Sequence, residues 1–112
     1  MTIKFKVGKT SQSAGMTMEI ARTILSQLGG NKFIAMTGAR NLAAGNYFLS
    51  FKVGRNAKNV THVRITLTDY DDYTMEFMTI RKSSVTIYRR EGVYCDNLQT
   101  VFTSETGLDT HL

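Results

Sequence analysis

Lys52, Arg64, Tyr88 and Arg90 fall at even positions of three stretches whose odd positions are mostly apolar, so reading each stretch as a strand puts all four on one face of a sheet. Three cations and an aromatic ring on one face can hold a phosphate backbone by charge and a base by stacking, as sheet-based single-strand binders do. The same alternation adds Ser50, His62, Thr66, Thr74, Glu76, Met78 and Thr86. With Glu76 at its centre, such a face also fits the ordinary solvated side of a half-buried sheet. Two glycine-bounded segments bring further cations: GARNLAAGN at 38–46 carries Arg40, and GRNAKN at 54–59 carries Arg55 and Lys58. Basic loops of this kind can set backbone amides and guanidinium groups against a phosphate or carboxylate. Neither has the glycine spacing of a P-loop or a dinucleotide fingerprint. The candidate nucleic-acid-binding set is therefore Arg40, Lys52, Arg55, Lys58, Arg64, Tyr88 and Arg90.

Catalytic groups are sparse. Cys95 stands just before an expected helix N-terminus, which lowers a thiol pKa, but a cysteine nucleophile also needs a histidine and an orienting group. The two histidines are His62 on an expected strand and His111 at the C-terminus. Asp69, Asp71 and Asp72 form the one carboxylate cluster and lack the glycine and distant glutamate of a calcium loop. A solvated hairpin tip is the simpler reading. The expectation is a binding module and not an enzyme, with no catalytic residue, no metal and no cofactor.

The charge balance points the same way. The 14 Lys and Arg exceed the 9 Asp and Glu by five, an excess that attracts nucleic acid or an acidic protein surface. The 112 residues suffice for one core and one domain, 1–112. No run approaches the roughly 20 apolar residues that span a bilayer, and the opening MTIKFKVGKTSQSAG lacks the apolar stretch of a signal peptide. Cys95 has no internal cysteine partner, which favours a reducing compartment. A cytoplasmic protein without membrane contact is expected.

The elements that must position these residues follow from periodicity. Residues 2–8 alternate as a strand whose free edge could pair with a second copy to give a homodimer. Residues 9–15 are polar and read as a flexible arm. Met16, Ile20, Ala21, Ile24, Leu25 and Leu28 recur at helical spacing, with Thr17 as N-cap and Gly29-Gly30 as the stop. The apolar run at 32–37 reads as a short buried strand, and 38–46 as a loop. Strands are expected at 47–53, 61–67, 73–80 and 85–90, with Tyr47, Leu49, Phe51 and Val53 inward on the first, Glu91-Gly92 turning, and 93–95 closing a tight hairpin. Asp96 and Gln99 resemble a capping box opening a helix over 96–106, whose Leu98, Val101 and Phe102 share a face. The result is an α+β chain: an antiparallel sheet of about five or six strands with a helix at about 16–28 and a short C-terminal helix on one face.

The strings IARTILSQLGGNKFIAMTGARN at 20–41, FKVGRNAKNVTHVRITL at 51–67 and GVYCDNLQTVFTSETGL at 92–108 resemble a group of small uncharacterised proteins of bacteriophages and mobile elements. The resemblance covers roughly residues 18–112. Members begin near Ile20, so residues 1–17 depart from the pattern, and no catalytic residue carries over. It implies an accessory protein of a bacterial host's cytoplasm that acts by binding. Nucleic acid, through the basic sheet face and loops, is the first expectation. The alternative is inhibition of a host defence or replication protein by protein–protein contact, as an anti-CRISPR does.

Overall fold

The computed structural model describes residues 6–7, 14–45, 47–82 and 84–110, with side chains from Glu19 onward. Among the described residues nine elements follow in chain order: β1 (Lys6–Val7), α1 (Ala14–Leu28), α2 (Gly30–Thr37), β2 (Arg40–Ala44), β3 (Phe48–Lys52), β4 (His62–Leu67), β5 (Tyr73–Arg81), β6 (Ser84–Val93) and α3 (Leu98–Thr106). β2 to β6 form an antiparallel meander in sequence order, and β1 joins its edge parallel to β2. The expected α+β architecture is present, with the helices on one face.

The core lies between that face and the helices. Ala21, Ile24, Leu25 and Leu28 of α1 are buried on the stripe their spacing defines. Opposite them lie Leu49 and Phe51, Val63 and Ile65, Tyr73, Met75 and Phe77, the inward alternation of three strands. Leu98, Val101 and Phe102 complete the core from α3. Three rings meet at its centre: Phe33 stands edge-on to Phe51 at 5.4 Å and to Phe102 at 5.1 Å.

Several expectations are corrected. The run at 32–37 is helical and not a strand: Phe33 and Thr37, one turn apart, are buried, while Lys32 and Ala35 are exposed. A short apolar run looks alike in both periods, so its spacing does not separate helix from strand, and the flanking glycines only bound it. Gly29, at φ 127°, caps α1 by donating to the carbonyls of Leu25 and Ser26, and Gly38, at φ 69°, closes α2 by donating to Ile34. The 38–46 segment holds β2 and not a loop throughout. Its alanines have poor strand propensity, but pairing on both sides outweighs it. Tyr47 precedes β3 and is exposed.

At the chain's start, the helix is already formed at Ala14, so Thr17 is not its N-cap and the expected arm keeps only residues 9–13, which lie outside the described residues. So do residues 2–5 and 8 of the expected first strand, and His111. The capping box at 96–99 does not form: Asn97 takes the N-cap position without a side-chain bond, and Gln99 instead donates to the Leu28 carbonyl at 3.0 Å. That bond satisfies the end of α1 and fastens α3 to it. Among the described residues no helix is long and apolar enough to cross a membrane.

Candidate nucleic-acid interface

The helices leave the other face of the sheet open, and strand register determines what stands on it. Facing residues of an antiparallel pair share a side of the sheet. Ser50 pairs with Arg64, Arg64 with Glu76, and Glu76 with Arg89, forming one row across four strands. Arg40, Lys52, His62, Met78 and Ile87 form the next row across five. Arg40 reaches this row because β2 carries one extra residue against β3, a bulge at which Asn41 adopts φ 54°.

Tyr88 and Arg90 are not on this face. Tyr88 is opposite Phe77 and Arg90 opposite Met75, so both share the helix-bearing side, where Arg90 pairs with Glu105 of α3. The alternation of Val85 and Ile87 with polar neighbours suggests apolar-inward, but the hairpin closing between Arg81 and Ser84 fixes the opposite phase. Val85, Ile87 and Arg89 therefore stand on the open face. The expected turn at Glu91-Gly92 is a bulge within β6, with Gly92 at φ 68° and two residues opposing Thr74. It shifts the phase again, which seats Val93 in the core opposite Tyr73.

A shallow hollow of about 640 Å³ occupies the middle of the open face, lined by Lys52, His62, Arg64, Glu76, Met78, Ile80 and Ile87 among others. A second, of about 320 Å³, lies at the end of the sheet between Arg40, Arg55, Arg81 and the Asn56–Asn59 turn. Ile80 lines both, so the two adjoin at that side chain. Asn56 stiffens this turn by bonding Gly54 and both backbone groups of Val60. Lys58 points elsewhere, into a small hollow beside Tyr88 and Glu105 on the helix-bearing side. Of the seven expected residues, Arg40, Lys52, Arg55 and Arg64 come together; Lys58, Tyr88 and Arg90 do not.

The charges on this surface are unevenly matched. Glu76 is the carboxylate among the lining residues, and Arg89 holds it at 3.0 Å. Arg64 lies over the Phe48 ring, 4.5 Å from its centroid, which fixes the guanidinium on the sheet without neutralising it. Gly45 makes room for that ring, since a Cβ there would overlap Phe48. Burial, then Lys52 and Arg40, push the pKa of His62 below the usual histidine value, and its Nδ1 shares a 2.8 Å hydrogen bond with Thr61. Arg81 and His62 complete the cluster. Arg81 gave no signal in the sequence, because its position depends on where the hairpin closes.

The other chemistries find less geometry. Cys95 is free and exposed beyond Val93, the partner of Tyr73, whereas His62 pairs with Met78 toward the other end of β5. The 68–72 segment is a hydrogen-bonded turn, with Thr68 N–H donating to the Asp72 carbonyl, Asp71 N–H to that of Thr68, and the Thr68 hydroxyl to the Asp72 carboxylate. Among the described residues no three His, Cys, Asp or Glu side chains gather as metal ligands. No family model matches the sequence, and no curated protein or solved structure matches it.

Proposed function

We propose that the protein binds the phosphate backbone of a nucleic acid across the open face of its sheet. The observation that carries this reading is the grouping of Arg40, Lys52 and Arg64 on neighbouring strands, continued by Arg55 and Arg81, with Glu76 already engaged by Arg89. Such a track attracts a polyanion and releases its condensed counterions. It offers charge more than stacking: Tyr88 is on the other side, and Phe48 is covered by Arg64. Binding is therefore expected to tolerate sequence and to weaken steeply with salt.

The test is retention on heparin and titration of single-stranded and duplex oligonucleotides at several salt concentrations. Replacing Arg40, Lys52 and Arg64 together by Ala is expected to abolish binding; undiminished binding by that variant removes the reading. A second reading, inhibition of a host protein through an acidic surface, is favoured by the exposed Ile80, Val85 and Ile87 beside the cations. It predicts a complex that survives nuclease and requires these apolar residues.

A further inference from the structure

We infer that the chain forms a two-fold dimer by antiparallel pairing of β6 with β6 of a second copy, centred on Ile87. The inference is independent of what the open face binds. β6 is ten residues long and is the last strand of the sheet, so among the described residues one of its sides has no neighbouring strand. Every residue from 84 to 89 is exposed. Long apolar edges pair with other chains unless lysine, proline, a cover or a bulge prevents it. Here residues 84–90 contain neither lysine nor proline, and the bulge lies beyond them at Glu91-Gly92.

The regular part of the strand is self-complementary. Residues 84–90 are bounded by the hairpin on one side and the bulge on the other, and their midpoint is Ile87. An axis there pairs the whole regular segment. On the open face Ile87 meets Ile87 of the second copy, and Val85 lies against the stem of its Arg89. On the other face Thr86 lies against its Tyr88. Like charges are not opposed, and both arginines are held within their own subunit, Arg89 by Glu76 and Arg90 by Glu105. The apolar strip of Val85 and Ile87, which are 58% and 55% exposed, becomes continuous across the join. The described part of the opposite edge, β1, is Lys6–Val7. The expected homodimer is thus assigned to the C-terminal edge strand in place of the N-terminal one.

Sedimentation of the full chain over a wide concentration range is expected to show a monomer–dimer equilibrium. Ile87→Lys, which sets two ammonium groups against each other at the axis, is expected to weaken it by about tenfold or more. Its circular dichroism should be unchanged, because the side chain is exposed. The register is read by oxidative cross-linking. With Cys95→Ser in both, Ile87→Cys should form an intermolecular disulfide readily, since facing Cα atoms lie about 4.5–5.5 Å apart. Val85→Cys should not, its copies being about 14 Å apart along the strands. A monomer at every concentration, a dimer indifferent to Ile87→Lys, or faster cross-linking at 85 than at 87 would each overturn the proposal. A monomer that captures an added extended peptide on this edge would reassign it to a foreign strand.

Discussion

Phe77 on β5 stands directly opposite Tyr88 on β6, so the tyrosine shares the helix-bearing side of the sheet with a core residue. Arg64, by contrast, pairs with Glu76 on the open side. If the open face carries the binding, Tyr88→Ala should leave oligonucleotide affinity within about twofold. Arg64→Ala should weaken it and lower the slope of log affinity against log salt by about 0.7–0.9. Titrating both variants at several salt concentrations checks the pair.

Glu76 is the counterweight of the same face. Glu76→Gln removes its charge and frees Arg89, so polyanion binding should tighten several-fold at low salt and depend more steeply on salt. Folding should change by less than about 1 kcal/mol, because Arg89 is well exposed and an exposed pair contributes little. Parallel denaturant melts and binding titrations separate the two effects.

His62 makes the protein sensitive to mild acid. Its folded pKa is depressed, first by burial and then by Lys52 and Arg40. Above the unfolded value of 6.5 the ring is neutral in both states and contributes no pH dependence. As the pH falls below 6.5, the unfolded chain takes up the proton before the folded one, so stability declines until the folded ring is protonated too. Melting temperature should fall through this window in the wild type and fall less in His62→Gln. Bound phosphate favours the charged ring, so polyanion affinity should rise over the same window and lose that rise in the variant.

Phe33 joins α2 to β3 and α3 through two edge-on ring contacts. Phe33→Ala leaves a cavity at the centre of the core and should cost about 3–5 kcal/mol, a large share of the stability of a domain this size. Urea unfolding should show a lower midpoint at an unchanged slope.

Much of this fold is written locally. Ile20 to Leu28 recur at helical spacing, Val63 and Ile65 alternate with polar neighbours, and Gly107 ends α3 at φ 80°; each is a short-range pattern that the chain obeys in place. The cations Lys52 and Arg64 share the open face for the same reason: two adjacent strands, each with an unbroken alternation, have one available phase.

Three placements could be decided only by distant contacts. The apolar run at 32–37 becomes a helix because Phe33 must reach Phe51 and Phe102, which no local period specifies. Arg40 joins Lys52 because β2, weak in its own propensity, is held between β1 and β3 and bulges at Asn41. The phase of β6 follows from the hairpin closing between Arg81 and Ser84 and from the Gly92 bulge, because in a strand a shift of one residue exchanges the faces. Composition and spacing determined that the chain would carry a half-buried sheet with surplus positive charge. Pairing register alone decided which cations gather on its open face and left Val85 and Ile87 exposed along a free edge.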